Sequence, residues 1–504
     1  MCAKSLLETK ALRKMTSKFE IEGEAEFIHA GPNLPILVCE LRFRTELPAV
    51  TCDGTMWLLP PSIDSTGTTT WRIWILSTRL GELDLHPKNE SLLRSSGACS
   101  KSEERIETDV FIVRGGNAAM ALAARLKALK VRSVMADRNA SVGDNWARRY
   151  DCMKFHIPTS FCELPYLRYP SELQNRLLTR NDLLTQIRRY AQTFRLDIIN
   201  SVEIVQTTLD KDGRWNIRFQ TPDGMSTAIA RHLVQATGIG SQKPYLPPML
   251  KYQAFRGTSI HSSQYRNAKE LKDRGVKTVC IIGSANTAFD YVCDDRSLGA
   301  YNYSVEKADR LFMMLPTIVD SQLGRELFSQ LASMEPDRYS NLCEIGFPIF
   351  DSRHPDASLM HNLIERGGGH YVDTGATALL AEKKVDFIVG VEPKAYTPNG
   401  IEALDADAVV WCTGFADKDV RQTVADILKI SLPVDATWGV NEEGEVRGLW
   451  RRHLYVDNYW VMGGYTQQHR WYSRLLAHQI KAELEGILPA AYRDVPLVVP
   501  ACEA

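Results

Sequence analysis

The chain has no apolar run approaching the roughly 18 residues needed to cross a bilayer. Its N-terminal lysines are not followed by an apolar h-region, so no secretory signal is expected there. Cysteine pairing is missing too: the 11 cysteines are scattered without one C-x-x-C, which argues against a zinc site and against a disulfide framework. A reduced, cytoplasmic setting fits that usage, and no metal is expected. Net charge is nearly absent, −1 from 60 basic and 61 acidic residues. That leaves no electrostatic footprint for nucleic acid or an anionic membrane, so a small molecule is the expected partner. The oligomeric state is not legible from composition.

What the chain has is length and apolar content. With 504 residues and 44% hydrophobic composition it supports several domains with sizeable cores. Residues 1–97 carry alternating or β-rich segments, Ile36 to Phe43, Gly54 to Leu59 and Thr70 to Thr78, separated by Pro, Gly, Ser and Thr clusters. A small curved antiparallel sheet is expected there. The Ser-, Lys- and Glu-rich tract from Glu90 to Arg105 reads as a linker.

The most informative stretch runs from Asp109 to Trp146. It reads as a buried strand (Val110 to Val113), a glycine turn, a helix with an Ala/Leu face and a second strand (Ser133 to Ala136) ending in Asp137. That is the first βαβ unit of a dinucleotide-binding fold, although two glycines between a strand and a helix also make an ordinary tight turn. Gly115 and Gly116 let the backbone approach a pyrophosphate, Ala119 fills the third fingerprint position, and Asp137 is placed to take ribose hydroxyls. Arg114 stands where the first glycine belongs. If its φ is positive, the strain is about 1 to 2 kcal/mol. Gly143, Asn145 and Trp146 follow directly, either lining the cofactor site or simply turning and packing the chain.

Downstream come a proline- and aromatic-rich loop, a helix from about Asn181 to Phe194, and a hairpin at Lys211-Asp212-Gly213. A second βα unit starts at Lys277, with a strand from Thr278 to Ile282, a turn at Gly283 and a helix from about Asn286. The segment from Val305 to His370 reads as mostly helical, Phe387 to Val391 and Ala408 to Trp411 as strands, and Leu475 to Glu485 as a closing helix. After the short helix of the second unit no Val/Ile-rich strand ending in basic residues follows, so that half looks incomplete. Ala285 also replaces its second glycine.

Phe255, Gly257, His261 and Tyr265 fit F-x-G-x-x-x-H-x-x-x-[YF]. Around them, in order, stand Ala236-Thr237-Gly238, the turn Gly283 to Ala288, Cys412-Thr413-Gly414 and Gly463-Gly464. With these motifs the chain, over roughly residues 105 to 490, resembles the flavin-containing monooxygenases and the related Baeyer-Villiger enzymes. It is most similar to the fungal group with an N-terminal NTF2-like domain, here looking shortened and without leading helices. The resemblance implies an α/β fold with Rossmann-like FAD and NADPH domains: residues 108–245 as the first FAD part, 246–385 as an incomplete NADPH-binding-like domain with a helical insert, and 386–504 as the second FAD part, after a linker at 98–107. It implies FAD contacts at Gly115, Gly116, Asp137, Gly143, Asn145, Trp146 and Gly464, NADPH contacts at Gly283, Asn286 and Ala288, and further cofactor-binding positions at Ala119, Thr237, Gly238, His261, Thr413 and Gly414. His156 and Gln467 are the residues placed at the reacting centre by the same resemblance.

The expected function is therefore an FAD-dependent, NADPH-using monooxygenase oxygenating a hydrophobic small molecule of secondary metabolism. Two other readings stand beside it. One is a relative that has lost the redox cycle and catalyses a cyclisation or isomerisation, or only binds a metabolite. The other is a decaying gene product that folds poorly.

Overall fold

The computed structural model describes residues 2–31, 34–60, 71–95, 104–174, 176–238, 242–283, 304–357, 359–366, 375–402, 404–417, 419–453 and 455–489. The first unit is a four-stranded antiparallel meander, Glu20–Gly31, Leu34–Glu46, Ala49–Leu59 and Arg72–Leu83. Alternation drives it: Ile36, Val38, Trp57 and Ile75 point to one face and pack against Leu311, Leu315, Val319 and Leu323 from the helical insert. The strand Glu20–Gly31 was not anticipated, because its Glu- and Gly-rich sequence has little intrinsic β preference. A leading helix, Cys2–Leu12, is present where none was expected.

The central sheet has seven strands. Its core is parallel: Arg105–Val113 lies between Gly224–Gln235 and Ser133–Ala136, which in turn pairs with Ile198–Ile199. The hairpin Glu203–Leu209 and Trp215–Thr221 extends one side in antiparallel register, and Tyr459–Val461 joins parallel to Gly224–Gln235. Parallel strands covered on both faces should read as continuous apolar runs. Val110, Phe111, Ile112 and Val113 do, all essentially inaccessible. Over them lies the helix Asn117–Ala128, itself covered by the closing helix Thr466–Leu484.

A second, small parallel sheet places Ala408–Trp411 between Thr258–His261 and Val279–Ile282. Ala408–Trp411, which lies after the boundary expected at residue 386, thus pairs with strands that precede it. The expected strand from Phe387 to Val391 does not form: Ile388, Val389 and Val391 are exposed, and no strand among the described residues pairs with the run. The linker is shorter than read, because Asn89 caps a 3-10 turn at Glu90–Arg94 and the strand Arg105–Val113 takes residues 105–107 from the linker's end. The closing helix begins nine residues before the expected Leu475, at Thr466. No helix among the described residues is long and apolar enough to cross a membrane.

The closing helix braces three parts of the molecule. Arg474 donates to the Gly81 carbonyl of the N-terminal sheet at 2.9 Å, and the Arg79 guanidinium lies 4.1 Å over the Trp471 ring. Farther along, Arg470 donates to Asp309 of the insert helix Val305–Met313 through two bonds of 2.6 Å, and to the carbonyls of Ser160 and Glu163 at 3.1 and 2.7 Å. Both partners of that ion pair are buried.

Candidate functional site

The glycine turn opens into a cavity of about 1180 Å³, above the roughly 300 to 1,000 Å³ of an ordinary small-molecule pocket. One end is the βαβ turn. A Cβ on Gly116 would meet nothing nearer than Asn145 Nδ2 at 3.9 Å, so the backbone there faces open space. Gly116 is also the N-cap of Asn117–Ala128 and has no side chain to cap it, leaving the helix N–H groups and their positive dipole end turned to the cavity. Gly115 has a different reason to be glycine: a Cβ would sit 2.9 Å from Asp137 Oδ2. Asp137 is buried, and its Oδ1 accepts from the Asn139 backbone and side-chain N–H groups, both at 3.2 Å. Trp146 is held by its Nε1–H bond to Asn117 Oδ1 at 3.0 Å and stands edge-on to Phe155.

Arg114 does adopt the left-handed conformation, with φ of 89°. Its guanidinium lines the cavity with Arg138, Arg148, Arg149 and Lys243, which makes this end strongly cationic. Burial, with Arg138 nearby, lowers the Arg114 pKa to about 10 while Asp137 acts against the shift, so it stays charged at neutral pH. These features fit a dinucleotide: an open backbone cradle, an uncapped helix start, a buried acid and cations for phosphate. Arg114→Gly is expected to raise stability by about 1 to 2 kcal/mol by releasing the strained φ. FAD affinity should change by less than about tenfold (1.4 kcal/mol). Thermal unfolding with FAD titration checks both, and a much larger gain in affinity would mean that the arginine occupies the phosphate position.

Of the residues proposed from sequence, Gly115, Gly116, Asp137, Asn145, Trp146, Thr237, Gly238, Gly464, His156 and Gln467 all line this one cavity. The other described residues do not line it. Ala119 is fully buried against the sheet. Gly143, φ 83°, packs where a Cβ would come 2.7 Å from Ile187 and Leu184 carbons. His261 is buried at the end of its strand: the Ser263 backbone N–H donates to Nδ1 at 3.2 Å, so Nε2–H donates to the Gly414 carbonyl at 2.9 Å. Burial lowers its pKa, which keeps this neutral tautomer. The histidine of the F-x-G-x-x-x-H pattern thus ties its strand to the Cys412-Thr413-Gly414 turn. Thr413 Oγ1–H donates to the Tyr245 carbonyl. Gly283, φ 107°, turns against the Cys412 carbonyl, 2.5 Å from where its Cβ would be. Asn286 and Ala288 lie outside the described residues, as does the helix expected to carry them. Among the described residues the second sheet has no further strand between Val279–Ile282 and Ala408–Trp411 in sequence.

The sequence reading missed the far wall. Thr317, Asp320, Gly324, Leu327 and Phe328 of the helix Thr317–Met334 face the cavity, joined by Phe312, Met313, Leu315 and Leu363. The spacing 317, 320, 324, 327, 328 marks one helix face and was available in the sequence. From the closing helix come Gln467, His469 and Tyr472, with Tyr465 preceding it. Tyr465 O–H, Gln467 Oε1 and both His469 ring nitrogens are inaccessible to solvent and make no side-chain hydrogen bond among the described residues; the Gly464 backbone lies beside the His469 ring, whose pKa burial lowers to about 4.

Residues 172–333 match the family described as L-lysine 6-monooxygenase/L-ornithine 5-monooxygenase. A probable indole-3-pyruvate monooxygenase of Arabidopsis thaliana, YUCCA4, is 28% identical over 354 residues, 66% of this chain and 81% of that protein. An indole-3-pyruvate monooxygenase of Oryza sativa subsp. indica, YUCCA8, is 24% identical over 60% of this chain and 75% of its own. Among solved structures, an oxidized steroid monooxygenase bound to NADP superimposes with a TM-score of 0.50 at 15% identity, covering 75% of this chain and 85% of that one. A cyclohexanone monooxygenase from Rhodococcus sp. Phi1 bound to NADP+ gives the same TM-score at 13% identity, over 76% and 85%. These two establish the mixed α/β, two-domain flavoprotein fold. In its ordered motifs and its sequence relatives the chain is similar to the flavin-dependent monooxygenases.

Proposed function

We propose that the protein is an FAD-dependent, NADPH-using monooxygenase that oxygenates a hydrophobic small molecule in secondary metabolism. The observation that carries this reading is the continuity of one cavity from a cationic glycine turn to an apolar wall. FAD, when bound, supplies the oxygen chemistry. The chain's own part is to hold and shield it. The Gly115-Gly116 backbone and the Asn117–Ala128 N-terminus take the pyrophosphate, Asp137 takes the ribose, and Arg114 adds a phosphate-pairing charge. His156, Trp146, Gly464 and Gln467 surround the middle of the cavity, where the reacting ring would lie. Phe312, Met313, Leu327 and Phe328 exclude water from the substrate end.

NADPH is assigned to the second unit through Gly283, Asn286 and Ala288, which the NADP-bound structural neighbours support. The relatives named for indole-3-pyruvate support an aromatic or similarly apolar substrate. We assign the N-terminal sheet to the shortened NTF2-like unit. The cationic, strained Arg114 in the cavity favours a second reading, in which redox cycling is lost and the pocket serves a redox-neutral step. Purified protein is expected to show flavin absorbance, or to gain it on FAD titration, and to oxidise NADPH faster when an apolar substrate is added. Lack of FAD uptake would sink the first reading, and substrate-stimulated NADPH oxidation the second.

A further inference from the structure

The substrate end of the cavity is mostly apolar, with Thr317 and one acid, Asp320, on its helical wall. Asp320 projects from the face of Thr317–Met334 that also carries Gly324, Leu327 and Phe328, into the cavity that Phe312, Met313 and Leu363 also line. No cation pairs with it among the described residues. The groups around it offer no compensation: Tyr465 and Tyr472 of the closing-helix region feel its charge, and Glu445, which accepts from Thr317 Oγ1–H at 3.1 Å, adds a second negative charge near Tyr472. Arg451 acts on Glu445 and Tyr472 rather than on Asp320. Burial accordingly pushes Asp320 up to about 6. An uncompensated carboxylate in apolar surroundings is costly to keep. Its place in the first turn lets it complement the helix dipole, but that does not require a position inside a cavity.

A second observation points the same way. Gln467, another residue of the cavity wall, is only 8% exposed, and its Oε1 lies out of reach of solvent without a hydrogen-bond partner among the described residues. The wall around this part of the cavity thus holds an acid without a cation and a buried acceptor without a donor among the described residues. The guanidinium and ammonium groups of Arg114, Arg138, Arg148, Arg149 and Lys243 belong to the dinucleotide end. We propose that Asp320 is the specificity-determining residue of the substrate end, its carboxylate accepting a hydrogen bond from an N–H or O–H group on an otherwise apolar substrate. This rests on the substrate end of the reading above, yet it needs neither flavin nor turnover to be tested.

The test uses the full chain and three probes of one shape, 2-methylnaphthalene, 2-naphthylmethanol and 2-naphthylmethylamine, titrated by calorimetry at roughly pH 7.5. The alcohol and the amine are expected to bind about tenfold or more tighter than the hydrocarbon, the worth of a hydrogen bond to a charged acceptor. Asp320→Leu should erase both preferences. Asp320→Asn should keep the preference for the alcohol and lose that for the amine, which separates a neutral donor from a cation. On the unaltered protein, lowering the pH through about 6 protonates the carboxylate and should reduce the amine's advantage, so a variant that fails to fold does not stop the test. Equal binding of the three probes, no binding of any, or preferences that survive Asp320→Leu would overturn the inference. A chain that takes no FAD but prefers donors retains this inference and loses the monooxygenase reading. A chain that takes FAD and shows no preference does the reverse.

Discussion

Gly116→Val is expected to weaken FAD binding by about 100-fold or more while costing no more than about 1 kcal/mol of stability. The two effects separate because of where the new methyl groups go. The Gly116 φ of −82° with ψ of −172° is extended backbone that valine accepts readily, and the position faces open space rather than packed atoms. The stability cost is the modest one of placing a β-branched residue at a helix N-cap. The added carbons, however, fill the place where a pyrophosphate must meet the helix N–H groups, and they hold the phosphate away from the only donors there that need no side chain. Fluorescence titration with FAD and chemical unfolding in its absence measure the two quantities independently. If FAD binds the variant as tightly as the parent, the cofactor does not use this turn.

Arg470→Met should cost about 3 to 5 kcal/mol, the largest stability loss expected from the single changes considered. The guanidinium makes four hydrogen bonds, two to Asp309 and one each to the carbonyls of Ser160 and Glu163. Burial raises the Asp309 pKa while Arg470 pulls it back. Removing the arginine therefore leaves a carboxyl group without its cation inside the protein and two carbonyls without a donor. Pairing the change with Asp309→Leu should recover most of the loss, because replacing both halves of a buried ion pair by apolar groups is often neutral. Urea unfolding of the two single variants and the double variant checks this through their coupling. Independent, additive losses would mean that the pair is not a unit.

The glycine unit was legible because its signal is local. Ser133–Ala136 and Ala408–Trp411 form over the residues that an apolar run of four predicts, and Arg180–Thr193 lies one residue from its expected bounds. Its place in the fingerprint marked Arg114 as strained should its φ be positive, and the φ of 89° meets that condition. Phe387 to Val391 looked equally like a strand, but an apolar run becomes a strand only if another strand pairs with it, and nothing local says whether one does. His261 shows the same limit for function. Its motif identified the family, whereas its role in binding the Gly414 carbonyl needed the fold to bring residues 261 and 414 together. Asp320 is the opposite case: a helical face with one acid reads from sequence as a solvated edge, and only the packing of the insert against the closing helix turns it inward.

That packing also bears on the order in which the chain can mature. The N-terminal sheet is made first, but the face bearing Ile36, Val38, Trp57 and Ile75 is covered by side chains from 311 to 323, and its far end by Ala482. Domains made early usually fold as they leave the ribosome. This one must wait for several hundred residues of later chain, carrying an apolar sheet surface open to other chains in the meantime. The interval between synthesis of residue 83 and residue 311, rather than the stability of the finished fold, is therefore where this protein is most exposed to aggregation and most in need of a chaperone.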